Sequence, residues 1–151
     1  MSALDPAALL ERYAERLNAH ASLQMMGVRV EFPDANRLTI EVAHVPLAMR
    51  GGLGDDNIVN GGVLSGLCDL AIGCTGALVD PESRSATVQL SIRFEKPLRG
   101  ERILGQARVD RATRRLIFAS AEISDAEGQV CVRCQGIVSL LKGPAAPAPE
   151  P

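Results

Sequence analysis

Apolar and polar residues alternate along the second half of the chain, in the period-two pattern of half-buried strands. The alternation is clearest at residues 88–94, where four apolar side chains are separated by polar ones. Three similar runs follow after short turn-like segments, at residues 102–112, 116–124 and 129–141. Strands joined by such short connections predict a four-stranded antiparallel meander.

Two strands and a helix are predicted in the first third of the chain. Residues 28–32 and 37–45 flank the turn sequence PDAN, which predicts a hairpin. Before them, Asp5 and Pro6 form an N-cap and first-turn pair, followed by apolar residues at helical spacing to about Asn18. This pattern predicts a short N-terminal helix.

The longest apolar stretch predicts a second and longer helix, at about residues 59–79. Apolar residues lie on most sides of this helix, which is typical of a buried helix. An antiparallel sheet needs a cover on at least one face, and this helix is the element apolar enough to provide it. We therefore expect an α+β fold in which an antiparallel six-stranded sheet wraps around a long central helix.

Two segments have the composition of irregular structure. Residues 46–59 are rich in glycine and asparagine and lead into the long helix. They predict a mobile loop of the kind that often carries binding residues, with Asn57 as a candidate substrate contact. Residues 143–151, GPAAPAPEP, predict a disordered tail. The chain is thus predicted to hold a single domain at residues 1–142.

Composition limits the possible partners. The 151 residues carry a formal net charge of -2, with 46% hydrophobic and 3% aromatic residues, which disfavours nucleic-acid binding and base stacking. The N-terminus lacks the pattern of a secretory signal, and Gly, Ser, Thr and Asp interrupt the long helix too often for a membrane span. A cytoplasmic protein without a membrane partner is expected. The four cysteines and two histidines lack metal-binding spacing, so we expect buried reduced thiols and no metal.

Asp69 is the only charged residue of the long helix. The residues that share its helical face are small: Gly62, Ser65, Gly66, Gly73 and Gly76. Another backbone or a substrate can approach such a face closely, which makes Gly62 and Ser65 candidate substrate contacts. Two interpretations of Asp69 are open at this point. It is held by a neighbouring donor in a tightly packed core, or it is a catalytic acid.

The order of elements and the sequence NGGVLSGLCDLAIG resemble the hotdog-fold acyl-CoA thioesterases, particularly the group similar to the phenylacetate-pathway thioesterase. The resemblance extends over residues 28–141. The family motif is His-Gly-Gly with an acidic residue nine positions after the histidine. Asn60, Gly61, Gly62 and Asp69 keep that spacing here, with asparagine in place of the histidine.

The resemblance implies hydrolysis of an acyl-CoA thioester. Asp69 then corresponds to the catalytic carboxylate, as nucleophile or general base, and Gly61 to the glycine whose backbone N–H polarises the thioester carbonyl. The free N–H groups and the dipole at a helix N-terminus independently favour an oxyanion there. Asn60 is able to cap the helix but not to titrate.

The resemblance also places Thr87 where a hydroxyl orients the hydrolytic water. By strict alternation, however, Thr87 shares a face with Gln89 and Arg93 rather than with the apolar residues of its strand. The catalytic role therefore requires a β-bulge or a position at a subunit interface. The alternative is an ordinary β-branched strand residue.

Positive charge is concentrated between Arg93 and Arg115. This segment holds seven arginines and Lys96 but only three acidic residues, a local balance of +5. Such a region suits the phosphates of CoA, and Lys96, Arg114 and Arg115 are the candidate contacts. The alternative is the ordinary charged face of an exposed hairpin.

The resemblance implies an assembly and no cofactor other than CoA as part of the substrate. Its members are homodimers in which the strand after the central helix pairs across the twofold axis and Gly61 of one chain serves Asp69 of the other. Two dimers can associate further. Two alternative functions are a non-catalytic acyl-CoA sensor or scaffold, which the asparagine at position 60 allows, and a dehydratase, which would need a histidine paired with Asp69. The identity of the acyl group is not readable from the sequence.

Overall fold

The structure is a computed structural model that describes residues 5–141. The elements in this range are, in chain order, α1 (Pro6–Asn18), α2 (Ala21–Met26), β1 (Val28–Asp34), β2 (Arg37–Val42), a 3-10 turn (Leu47–Met49), β3 (Arg50–Gly52), β4 (Asp55–Val59), α3 (Gly61–Cys74), α4 (Gly76–Val79), β5 (Arg84–Phe94), β6 (Ile103–Ala112), β7 (Leu116–Ser124) and β8 (Val130–Leu141). The predicted tail at residues 143–151 lies outside the described residues. The tail and the domain boundary therefore stay predictions.

Six strands form one antiparallel sheet in the order β1-β2-β6-β7-β8-β5, and β3 pairs only with β4. Helix α3 packs on one face of this sheet and contacts five of its six strands. The predicted α+β arrangement of a six-stranded sheet around a central helix, with a short N-terminal helix, is confirmed.

The helix approaches the sheet most closely where glycines remove side-chain bulk. A Cβ on Gly136 of β8 would lie 2.6 Å from Cγ2 of Ile72, closer than packed carbon atoms come. Glycine at this position therefore allows α3 to seat against the sheet. The helix side that faces the sheet is buried: Leu64, Leu67, Cys68, Ala71, Ile72 and Cys74.

The predicted four-stranded meander is wrong in its first strand. Strands β6, β7 and β8 are consecutive neighbours, but β5 pairs with β8 at the edge of the sheet. A turn at residues 80–83 leads from α4 into β5, and β5 lies beside α3. Residues 95–102 then pass the N-terminus of α3, where Arg99 bridges Ile58, before β6 pairs with β2. Alternation identifies each strand without specifying its neighbours.

The central helix predicted at about residues 59–79 is confirmed from Gly61 to Val79, as α3 and α4. The helix is interrupted at Thr75, which is fully buried and whose hydroxyl donates to the Ile72 carbonyl at 2.6 Å. The predicted loop at residues 46–59 is wrong, because this segment folds into the 3-10 turn and the β3–β4 hairpin. Its glycines mark a hairpin turn rather than an unstructured connection.

Other differences lie at the ends of elements. Strand β1 continues to Asp34, and β2 ends at Val42 instead of residue 45. Helix α2 is an addition, because six residues are too few for a helical period to be recognised. Its ends are nevertheless well defined: Ser22 N–H donates to the His20 ring at 3.4 Å, and Gly27 ends the helix at φ 62°.

Candidate active site

Asn60 holds the N-terminus of α3 in place. Its side-chain oxygen accepts a hydrogen bond from the Gly62 N–H at 2.8 Å, as an N-cap does. Its own N–H donates to the Met49 carbonyl at 2.8 Å and ties the helix start to the segment before β3. The Gly62 N–H, a predicted substrate contact, is therefore already used by the cap.

The backbone N–H of Gly61 has no acceptor within residues 5–141. The first N–H groups of a helix lack intrahelical partners, and the helix dipole adds partial positive charge there. The ring of Phe94 lies beside this donor, with Cε1 3.7 Å from the position that a Cβ on Gly61 would occupy. Phe94 pairs with the buried Val132, so its side chain lies on the inner side of the sheet as the alternation predicted, but at the end of β5 it is 53% exposed. The Gly61 N–H is thus open to a ligand oxygen, and the ring of Phe94 lies on one side of it.

Asp69 lies on the exposed side of α3, together with Gly62 and Gly66. The expectation of a buried helix is wrong for this side, because the sheet covers only the opposite side. The Asp69 carboxylate forms no hydrogen bond or ion pair with another described residue. A Cβ on Gly66 would meet nothing within 4 Å. The surface around Asp69 is therefore open to a substrate or to a second chain.

Asp69 and Gly61 are eight residues apart on the same helix. At the rise of an α-helix their Cα atoms are separated by about 12 Å along the axis. A reacting carbonyl needs its carbon about 3–3.5 Å from the attacking group and its oxygen about 3 Å from the N–H donor. One thioester therefore does not span both groups of a single chain.

Thr87 faces α3 because β5 contains the bulge that its proposed role requires. Thr87 pairs with Val138 and Gln89 pairs with Ile137, so Val88 is left without a partner. The register shift reverses the alternation, and Thr87 lies on the same side of the sheet as the buried Val138. Its Oγ1 is 3.1 Å from the position of a Cβ on Gly73. Thr87 thus lies one helical turn beyond Asp69.

Two serines bind the backbone of α3. Ser65, a predicted substrate contact, donates to the Gly61 carbonyl at 2.8 Å. Ser85, which the sequence did not indicate, donates to the Gly73 carbonyl at 3.1 Å. The sequence does not indicate this role of Ser85, because the bulge at Val88 determines which side of the sheet its side chain faces. Both hydroxyls hold the polar side of the helix rather than offering a free donor.

The other predicted contacts lie at two ends of the molecule. Lys96 follows β5 at the end that holds Gly61, and its N–H donates to the Cys131 carbonyl at 3.1 Å. Asn57 is exposed in β4 near the same end, and its side chain donates to Asp55 at 3.0 Å. Arg114 and Arg115 lie in the β6–β7 turn at the opposite end, where the Arg115 carbonyl accepts from Leu140. One chain therefore does not bring Lys96 together with these arginines.

The positive charge between Arg93 and Arg115 is partly neutralised. Four of its seven arginines form ion pairs: Arg93 with Glu95, Arg99 with Asp55, Arg102 with Glu41 and Arg108 with Asp110. Two of the acidic partners come from outside the segment, so the local balance in sequence overstates the local charge. Within the described chain Lys96, Arg114 and Arg115 have no ion-pair partner.

The four cysteines lie inside the protein. All four are buried and free, as expected. Burial raises the pKa of the Cys74 thiol from 9.0 to about 12, and burial also raises the pKa of Tyr13. Residues 5–141 contain no cluster of three potential metal ligands.

The apolar stretch Gly61–Val79 is long enough by composition to be a candidate membrane span, and half of it is buried within the protein. Its sheet-facing side packs into the protein interior. It is a core helix of the fold rather than a membrane span.

Comparison with known proteins identifies the family. The thioesterase superfamily profile matches residues 56–132, from β4 into β8. The PaaI protein of the Escherichia coli phenylacetic acid degradation operon superposes with a TM-score of 0.79 at 16% identity, covering 94% of this chain and 100% of that one. A thioesterase family protein from Silicibacter pomeroyi gives 0.76 at 20% identity, covering 92% and 100%. A Bacillus halodurans protein solved with CoA gives 0.70 at 20% identity, covering 91% and 89%.

None of the curated proteins matches this sequence. The resemblance seen in NGGVLSGLCDLAIG is nevertheless confirmed by the profile, which covers 77 of the 151 residues, and by the hotdog-fold neighbours. The chain with this exposed acid and open N–H on α3 therefore belongs to the thioesterase superfamily.

Proposed function

We propose that this protein hydrolyses an acyl-CoA thioester to the free acid and CoA, at a site formed by two copies of the chain. The supporting observation is the pair of open groups on α3. Asp69 and the Gly61 N–H are both unpartnered in the described chain, yet they are about 12 Å apart along one helix. A second copy is the simplest way to bring them to the same thioester.

Strand β5 provides the surface for that second copy. It is an unpaired edge of the sheet, and edge strands with exposed apolar side chains tend to pair with another chain. Val88 on β5 is 58% exposed. An antiparallel pairing of β5 with its own copy gives one continuous sheet and a twofold axis.

The direction of α3 makes this pairing productive. Gly61 lies beside Phe94 near the end of β5, whereas Gly73 lies beside Thr87 near its start. Antiparallel pairing of two β5 strands reverses these ends. The Gly61 end of one helix then lies opposite the Asp69 and Gly73 end of the other.

Each group has a distinct part in the reaction. The Gly61 N–H donates to the thioester oxygen and stabilises the negative charge that develops on it. Asp69 of the other chain accepts a proton from water, which adds to the carbonyl carbon; the C–S bond then breaks and the CoA sulfur takes the proton. In the nucleophilic variant, the Asp69 carboxylate adds to the carbonyl carbon and the C–S bond breaks, which gives a mixed anhydride and the CoA thiolate. Water then hydrolyses the anhydride to the free acid and the Asp69 carboxylate, and the thiolate takes up the remaining proton. The Thr87 hydroxyl orients the water.

Two copies also gather the charges suited to CoA phosphates. Lys96 lies at the Gly61 end of one chain, and Arg114 and Arg115 lie at the opposite end. Antiparallel pairing brings Lys96 of one chain towards these arginines of the other. The Bacillus halodurans neighbour solved with CoA supports the ligand class. Association of two such dimers and a cytoplasmic location stay predictions.

A non-catalytic acyl-CoA sensor or scaffold is the second candidate function. The observation that favours it is Asn60, which replaces the family histidine and serves as a helix cap. A dehydratase is not supported, because His20 caps α2 and His44 pairs with Glu101 at 3.2 Å, so neither stands beside Asp69.

A thiol-release assay across aryl, short and long acyl-CoAs tests the proposal. Hydrolysis of at least one class by the wild-type protein, with loss of most turnover in Asp69→Asn and an unchanged fold, supports it. Full activity of Asp69→Asn contradicts it. Binding of acyl-CoA by calorimetry without any thiol release supports the sensor instead.

A further inference from the structure

The β3–β4 hairpin holds an apolar side chain in solvent on a strained backbone. Its turn is closed by a hydrogen bond from the Gly54 N–H to the Gly51 carbonyl at 3.2 Å. Leu53 within this turn has φ 56°, in the left-handed region that non-glycine residues rarely adopt. Its side chain is 88% exposed. A two-residue turn between Gly52 and Asp55 requires positive φ at both Leu53 and Gly54. A leucine in this turn therefore places an apolar side chain at the tip of the hairpin, in solvent.

The hairpin is firmly attached to the start of α3. Arg50 of β3 pairs with Val59 of β4, and Asn60 donates to Met49 just before β3. Arg99 forms an ion pair with Asp55 at 3.1 Å. Leu53 therefore projects from a fixed base beside Gly61, at the end of the chain where β5 terminates.

The opposite end of the chain carries complementary features. Val79, at the end of α4, is 40% exposed, and Arg84 opens β5 with an exposed side chain. Arg84 has no ion-pair partner among residues 5–141, and the same is true of the exposed Asp56 in the hairpin. One end thus offers an exposed leucine and a free carboxylate, and the other offers an exposed valine and a free guanidinium.

We propose that the β3–β4 hairpin is an arm that packs on a second copy of this chain. Leu53 covers Val79 of the partner subunit, and Asp56 faces Arg84 of the partner subunit. The inference rests on the antiparallel β5 pairing of the proposed function, which places the Leu53 end of one chain beside the Val79 end of the other. Twofold symmetry repeats the contact, so each dimer contains two arms.

Leu53→Asn is the most direct variant. Asparagine tolerates the left-handed conformation, so the substitution relieves backbone strain while it removes the apolar contact. Sedimentation equilibrium on the full chain is expected to show a dimer dissociation constant raised by about tenfold or more. The far-ultraviolet circular dichroism spectrum is expected to match that of the wild type, because the turn keeps its backbone conformation.

Met25→Asn is the matched control. Met25 is 81% exposed in α2, beside β1 at the sheet edge opposite β5. Its substitution removes a comparably exposed apolar side chain outside the proposed contact. The dissociation constant is expected to stay within about twofold of wild type.

An exchange of charges tests the orientation of the arm. Asp56→Arg and Arg84→Asp are each expected to weaken the dimer, and the double variant is expected to recover most of the loss because the pair is restored with opposite polarity. If the wild type is a dimer and Leu53→Asn leaves its dissociation constant unchanged, the arm is overturned and the proposed function stands. A raised KM with an unchanged dimer overturns it in favour of a substrate lid. A monomeric wild type overturns both the arm and the two-copy site.

Discussion

The Thr87 hydroxyl and the α carbon of Gly73 face each other across the contact between β5 and α3. The Thr87 Oγ1 is 3.1 Å from the position of a Cβ on Gly73, a separation tighter than ordinary van der Waals contact. A bulge at Val88 turns Thr87 towards the helix. Glycine at position 73 therefore leaves this hydroxyl just enough room beside the Asp69 face.

Gly73→Ala is expected to displace Thr87 without unfolding the protein. Alanine favours the helix by about 1 kcal/mol, which offsets the cost of moving one neighbouring hydroxyl. A displaced water-orienting group is expected to lower turnover by about tenfold. Thiol-release kinetics and urea unfolding measure the two effects separately. If Gly73→Ala loses no further activity in a Thr87→Val background, the loss acts through Thr87; equal losses in both backgrounds contradict that explanation.

Gly66→Ala is expected to affect the stability of the single chain and its binding of a substrate or second chain in opposite directions. A Cβ at this exposed helical position meets nothing within 4 Å in one chain, so the isolated subunit is expected to gain about 1 kcal/mol of stability from helix propensity. The same methyl group enters the face that a substrate or second chain approaches. Activity or dimer affinity is therefore expected to fall while subunit stability rises, and unchanged values of both contradict a ligand on this face.

Gly61→Pro removes the proposed oxyanion donor selectively. Proline is favoured at the first helical position, and Asn60 already has the extended ψ of 135° that a residue before proline requires. The fold is expected to persist, while turnover falls by about 10²–10³ because the N–H is absent. Gly61→Ala keeps the N–H and brings its Cβ to 3.7 Å from Phe94, an ordinary contact. The alanine variant is expected to remain active, and equal loss in both variants argues against the donor.

The buried thiol of Cys74 is expected to make the folded protein less stable at alkaline pH. Burial raises the pKa of its thiol from 9.0 in the unfolded chain to about 12 in the folded one. The neutral thiol therefore stabilises the fold fully below about pH 9, and this contribution is lost as the pH rises towards 12. The slope is at most about 1.4 kcal/mol per pH unit for this group. Urea unfolding between pH 9 and 11 is expected to show a smaller decline for Cys74→Ala than for wild type.

Local sequence patterns predict where the helices and strands lie better than they predict which strands pair in the sheet. The period-two runs identify β5 to β8, and Asp5 with Pro6 identifies the start of α1. The position of β5 beside β8 depends on contacts between residues distant in sequence, which alternation does not encode. Helix α2 and the β3–β4 hairpin are too short to generate a recognisable period.

The candidate site shows the same division. The spacing from Asn60 to Asp69 predicts a cap, an open N–H and a carboxylate on one helix, and the cap is present at 2.8 Å. The prediction of a buried helix is wrong on the Asp69 side, because the helix is apolar in composition yet covered by the sheet on one side only. The inward position of Thr87 follows from a one-residue bulge, which no pattern in the residues reveals in advance.

Subunit mixing tests the shared site most directly. Asp69→Asn and Gly61→Pro chains, each inactive as a homodimer, are combined in equal amounts and allowed to exchange. A heterodimer then holds one site with both groups intact and one with neither, so random exchange is expected to restore about one quarter of the wild-type activity. If native mass spectrometry shows the heterodimer but thiol release stays at the level of the parent variants, Asp69 and Gly61 do not combine across two chains.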